Sequence, residues 1–267
     1  MNKINIVTDK NFLFSLNTNK SLDLQKDYKF LLCEDLLYES TKDDPSKRCK
    51  IFSKLGEPYT DYEFIPIIPT LITFEKIHKK PCAKPSYHII RRDYSKNKIL
   101  ANKTKEIAQE QKLALQDLEK DYLIQLDAIF QGINVQFQAC SQEDASLHMD
   151  SLLNGKINDD DHINSIIRKH ELSGAKLPDL SYFTKESICY RYFQVYELWK
   201  TSIRMLYQKF EDICNSTSAR LKIKHDYHDM NYLMLALLEG GFATNEKKLI
   251  EWFELLCDKE SLVITNS

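Results

Sequence analysis

The chain has 267 residues, enough for one large domain or two small ones, and 43% of them are hydrophobic, which supports a substantial core. Only 6 glycines and 7 prolines favour helices over many tight turns. A net charge of −2 and a pI near 6.4 exclude a surface that attracts polyanions everywhere, so any nucleic-acid contact must be a local patch.

The start of the chain carries Asp9 and has no long apolar run, so it does not read as a signal peptide. Ile4–Thr8 is a short β-prone run that delivers Asp9 at its carboxyl end, followed by a turn and the apolar Phe12-Leu13-Phe14. A second strand is predicted over 29–33, leading into a helical stretch that carries Glu39. Asp44-Pro45 opens another helix, Asp as N-cap and Pro at the first helical position, which runs to Leu55 and closes at Gly56.

Residues 58–72 carry three prolines and no clean periodicity, which predicts an irregular connection with one strand at most. Its most apolar part, 65–72, is too short to span a bilayer. From Glu75 to Lys105 ten Lys/Arg face two acids, with Tyr87, His88 and Tyr94 interleaved. Such a stretch fits the phosphates of a nucleic-acid strand, and equally a solvated loop or a contact for an acidic protein.

Residues 99–138 predict a long amphipathic helix that Gly132 interrupts, and 141–172 predict shorter helices around the acidic loop Asp159-Asp160-Asp161. That loop lacks calcium-loop spacing and reads as a cap for the next helix. A second long helix is predicted from about Thr184 to Cys214, its aromatic stripe facing a core, and 215–218 reads as a polar linker. Seven cysteines stand singly with no CxxC pair, which argues against a disulfide framework or a zinc site. The expected setting is therefore soluble and cytoplasmic, without membrane contact.

The final stretch predicts a helix with Asp226 and Asp229 on one face, and Asp226 also reads as its N-cap. Met230, Leu233 and Leu237 form its apolar stripe, and Gly240-Gly241 stops it. A strand at 242–244, a helix capped by Asn245 and a closing strand at 261–265 complete the pattern. Carboxylates thus fall near the carboxyl ends of strands, where open α/β sheets bind ligands. His225 and His228 read as surface residues, and Glu39 by itself as a solvated helix charge.

Taken in order, Asp9 after a first strand, Glu39 after a second, Asp229 on a helix and Glu246 after Thr244-Asn245 resemble the PIN domain, a family of metal-dependent nucleases. Val7-Thr8-Asp9-Lys10-Asn11 is similar to the family's opening turn, with Lys10 pointing away from the acids; Glu246 stands where the family has Asp. The resemblance covers 1–56 and 219–267. It implies an α/β fold with a PIN-like parallel sheet and helices on both faces, formed by 1–74 and 219–267, with 75–218 as a basic segment and an inserted all-helical subdomain.

It also implies Mg²⁺ or Mn²⁺, since hard oxygen ligands suit these ions and converging carboxylates repel one another without one. Asp9, Glu39, Asp229 and Glu246 would form the catalytic set, Asp9, Glu39, Asp229 and Asp226 the metal ligands, and Asn11 would orient Asp9 or a water. Lys79, Lys80, Lys84, Arg91, Arg92, Lys222 and Lys224 are the candidate nucleic-acid contacts. The implied activity is endonucleolytic hydrolysis of RNA ahead of DNA, in a toxin or anti-phage effector checked by a regulatory protein partner or antitoxin. The alternatives are an inactive protein-interaction module working through its helices, and a nuclease acting on DNA. Oligomeric state is not legible.

Overall fold

The computed structural model describes residues 3–42, 44–90, 124, 126–172, 176–179, 183–257 and 261–266. The first half of the sheet follows the apolar runs: β1 is Ile4–Thr8, β2 Tyr28–Cys33 and β3 Tyr62–Ile65. Two short helices, α1 (Lys10–Ser15) and α2 (Thr18–Asp27), join β1 to β2. α3 (Glu34–Lys42) and α4 (Pro45–Phe52) join β2 to β3. Asp44 caps α4 through Ser46 and Lys47, as the Asp-Pro pair predicts.

After β3 the chain differs from the sequence expectation. Residues 68–72, expected to be irregular, instead open helix α5 (Ile68–His78), with Pro69 in its first turn, where the missing N–H costs no hydrogen bond. The expected long helix falls mostly outside the described residues, but 126–139 are helical (α6) and pass through Gly132 without a break. A Cβ at Gly132 would lie 2.3 Å from the Tyr196 hydroxyl, so this glycine serves close packing rather than a helix stop. α7 (Gln142–Leu153) and α8 (Asp160–Leu172) follow, and Asp159 accepts from the Asp161 N–H at the start of α8.

The second expected long helix is split into α9 (Ile188–Leu206) and α10 (Phe210–Cys214). The polar run 215–218 is a helix start rather than a linker. Ser216 caps α11 (Thr217–Glu239) by accepting from the Ala219 N–H, so Asp226 lies inside this helix and is not its N-cap. Gly240 ends α11 at φ 89°, the left-handed conformation that glycine adopts most cheaply. β4 (Gly241–Ala243), α12 (Lys247–Leu256) and β5 (Leu262–Ile264) close the chain. Glu246, not Asn245, holds the N-cap position of α12. The Asn245 side chain is engaged elsewhere, donating to Ser15 Oγ at 2.8 Å and accepting from the Asn266 N–H at 2.8 Å.

The five strands form one parallel sheet in the order β3-β2-β1-β4-β5. Successive residues Ile6, Val7 and Thr8 of β1 and Phe30 to Cys33 of β2 are all buried, so both faces of the sheet are covered. α11 packs against β1, β4 and α9, and α9 packs against α7. The buried side chains form one contiguous core running from the sheet through α11 and α9 into α7 and α8. Among the described residues, no helix is long and apolar enough to cross a membrane, and no cysteine is disulfide-bonded.

Candidate carboxylate site

The strand order reverses direction between β1 and β4, and in open α/β sheets the carboxyl ends of the strands at such a point border the ligand crevice. Asp9 stands at that switch point, buried, immediately after β1. Its N–H donates to the Ala243 carbonyl at 3.2 Å, which ties it to the end of β4. Its Oδ1 accepts from the Phe12 N–H at 2.6 Å, capping α1. Its Oδ2 is buried with no hydrogen-bond partner. A buried carboxylate oxygen without a donor calls for a proton or a cation.

The other three acids reach the same place from three different elements. Glu39 comes from α3, Asp229 from the middle of α11, and Glu246 from the turn between β4 and α12. Burial, then the charges of Glu246 and Glu39, raises the Asp9 pKa to about 6, while the Thr244 hydroxyl and the Phe12 N–H partly offset the rise. Burial raises Asp229 further, to about 8, reinforced by Asp9, Glu39, Asp226 and Glu246. The four carboxylates are therefore electrostatically coupled.

Side chains around the acids fix them. The Tyr232 hydroxyl, one turn after Asp229, donates to Glu39 Oε2 at 2.8 Å. Asn11 does not orient Asp9, whose Oδ1 is committed to α1; its Nδ2 donates to Glu246 Oε1 at 3.0 Å. Lys10 does not point away: its ammonium donates to the Glu39 carbonyl at 3.4 Å, because α1 and α3 flank the same crevice. Asp35, one turn before Glu39, accepts from Asn231 at 2.9 Å and has its pKa raised to about 7, chiefly by burial.

Asp226 is engaged on the other side. It accepts from Lys222 at 3.1 Å and from the Trp199 indole at 3.4 Å, and Lys248 stands 3.8 Å away. Burial pulls the Lys248 ammonium below its ordinary pKa, opposed by Asp226. Among the described residues, no three His, Cys, Asp or Glu side chains are arranged as they stand to hold a metal ion.

The basic candidates divide. Lys222 and Lys224 lie on α11 two turns or less before Asp229, on the helix that carries the acids. Lys79 ends α5, Lys80 lies over Phe74, and Lys84 precedes Ser86. Ser86 donates to Glu239, which also accepts from Asn5 at the start of β1. Lys84 thus belongs to the amino ends of the strands, opposite the carboxylates. Arg91 and Arg92 lie outside the described residues.

Asp35, Tyr232 and Lys248 were not singled out by the sequence. For Asp35 a signal existed, a carboxylate four residues before Glu39 on one helical face. For Tyr232 the signal was its spacing of three from Asp229. Lys248 gave none beyond its closeness to Glu246. No protein-family model, no curated protein and no solved structure matches this chain.

Proposed function

We propose that the chain is a PIN-like, metal-dependent endonuclease that hydrolyses phosphodiester bonds, in RNA ahead of DNA, within a reducing cellular compartment. The observation that carries this reading is Asp9. It is buried at the switch point of a parallel sheet, with an oxygen that no donor satisfies and three further carboxylates coupled to it. Oxygen-only donors of this kind suit Mg²⁺ or Mn²⁺. Asp9, Asp229 and Glu39 would hold the ion, in part through water, and Glu246 would stand at the exposed mouth. The ion, when bound, makes water a nucleophile at neutral pH and screens the phosphate.

The chain's own residues supply the positioning. Tyr232 holds one oxygen of Glu39 and Asn11 holds one of Glu246, so each carboxylate keeps a fixed orientation. Lys10 and Lys248 place ammonium groups at the border of the acids, where a substrate's phosphates would otherwise meet only negative charge. A second reading, an interaction module without activity, is favoured by the ion pairs that hold Asp226.

The deciding experiment is cleavage of labelled single-stranded RNA and DNA in Mn²⁺ by wild type, Asp9→Asn and Asp229→Asn. The nuclease reading expects cleavage that falls by about 100-fold or more in both variants, in line with loss of a group acting in the transition state. Equal cleavage by all three proteins would assign the activity to a contaminant. A folded wild type without activity on either substrate moves the assignment to the interaction module.

A further inference from the structure

Next to the carboxylates, α7, α9 and α12 line an open pocket of about 460 Å³, within the range of small-ligand pockets (about 300–1,000 Å³). Met149, Leu153, Met205, Leu206 and Trp252 give it an apolar side, and Lys222 and Lys248 stand at its edge. Leu153 and Leu206 are 47% and 61% exposed, so this apolar surface faces solvent instead of being sealed in the core.

Lys248 joins the cavity to the acids. Its ammonium lies 4.5 Å from the Trp252 ring centroid and 3.8 Å from Asp226 Oδ2. Lys222 reaches the same carboxylate at 3.1 Å. Two ammonium groups share one carboxylate, which leaves the edge net positive. Glu251, the other acid there, stands 3.7 Å from Lys247. Asp229 lies about one helical turn beyond Asp226, roughly 5–6 Å along the same face. An apolar pocket, a cationic edge and a carboxylate cluster therefore follow one another along α11 and α12.

We propose that this cavity is a base-binding subsite, which takes one unpaired nucleobase of a single-stranded nucleic acid whose phosphate lies on Lys222 and Lys248. It rests on the nuclease reading for the neighbouring phosphate, which would lie at Asp9 and Asp229. The two methionine thioethers are polarisable and adapt to a flat ring, and Trp252, 6% exposed with the Lys248 ammonium over its ring, backs the pocket. A base held in a duplex cannot enter without unstacking, so the subsite selects single strands.

The test measures binding without cleavage, in EDTA at low salt, by anisotropy of a fluorescein-labelled ten-nucleotide oligouridylate. Its comparison is a ribose-phosphate chain of the same length without bases. The variants are Leu153→Trp, which fills the cavity from an exposed position, and Lys222→Ala; unchanged melting temperatures establish that both fold. The subsite expects the oligouridylate to bind about tenfold more tightly than the abasic chain, and Leu153→Trp to erase that difference. Lys222→Ala is expected to weaken both chains alike. Equal binding of the two chains by wild type, an unaltered preference in Leu153→Trp, or no binding at all overturns the subsite. The nuclease reading fails separately, on the cleavage assay. A base preference in a protein that cuts nothing would keep the subsite and discard the reaction.

Discussion

At the scale of single residues, Asp229 carries the clearest consequence of the fold. Its folded pKa of about 8 stands far above the ~3.9 of an aspartate in an unfolded chain. The folded protein thus binds this proton more tightly, which contributes stability that is complete below about pH 4 and is lost as pH rises through about 8. Asp9 and Asp35, raised to about 6 and about 7, act in the same direction. Metal-free protein is therefore expected to melt at a lower temperature at pH 8.5 than at pH 5.5. Asp229→Asn is expected to flatten that slope, gaining roughly 1–3 kcal/mol at pH 8.5 and little at pH 5.5. Thermal melts of both proteins across this range check it, and a wild type that gains stability above pH 7 would contradict the placement of Asp229 among like charges. Asp9 and Asp229 stood out in the sequence at a strand end and on a helix face, whereas Glu39 and Glu246 were singled out only through the PIN resemblance, since Glu39 by itself reads as a solvated helix charge. The partners of the acids were not legible: Tyr232 with Glu39, Asn11 with Glu246 and Lys248 with Asp226 are set by which helices flank the crevice, and no local pattern encodes that.

At the scale of elements, the readable signals were those carried by short-range chemistry. Asp44-Pro45 began a helix and Gly240 ended one, because capping and left-handed backbone are decided within a turn. The errors arose where distant packing decides. Residues 68–78 are helical with Pro69 in the first turn, since Ile68 and Leu71 are drawn into the core. The early start of α11, by contrast, is set locally, by the Ser216 cap. Helix α9 shows how far distant support reaches, because the Ser187 side chain makes no cap bond to it. Its first N–H groups are met instead by Glu75 of α5, buried, which accepts from the Ile188 N–H at 2.8 Å, the Cys189 N–H at 3.3 Å and the Ser187 hydroxyl at 2.9 Å. The same carboxylate accepts from the Cys82 N–H at 3.0 Å. Glu75→Ala would leave these donors buried and unmet, at a cost of about 3–5 kcal/mol, whereas Glu75→Gln keeps an acceptor and should cost clearly less. Urea denaturation of the two variants measures the difference; equal losses would mean that α9 is capped by packing alone.

At the scale of the whole molecule, the parallel sheet and the helical segment share one continuous core. The sequence suggested an α/β core formed by the two chain ends, and the sheet is assembled from them: β1 lies between β2 and β4 although some 200 residues separate the latter two. Whether 75–218 behaves as a separate unit is a question of cooperativity. The contacts favour coupling, since α9 packs on α11 and α11 in turn packs on β1 and β4. Trp199 of α9 lies near Tyr227 of α11 at 6.3 Å between ring centroids, so the two segments share aromatic packing directly. The two tryptophans of the chain fall on either side of this division, Trp199 in the helical segment and Trp252 in α12 of the sheet part. Single-tryptophan variants, Trp199→Phe and Trp252→Phe, thus report on opposite sides by fluorescence. Each variant is expected to show one midpoint, the same by fluorescence as by far-ultraviolet circular dichroism. Two midpoints, with the Trp199 signal lost before the Trp252 signal, would establish an independently unfolding helical insertion. In that case the carboxylate crevice would be expected to outlast the melting of the base-binding cavity, whose walls come from both parts.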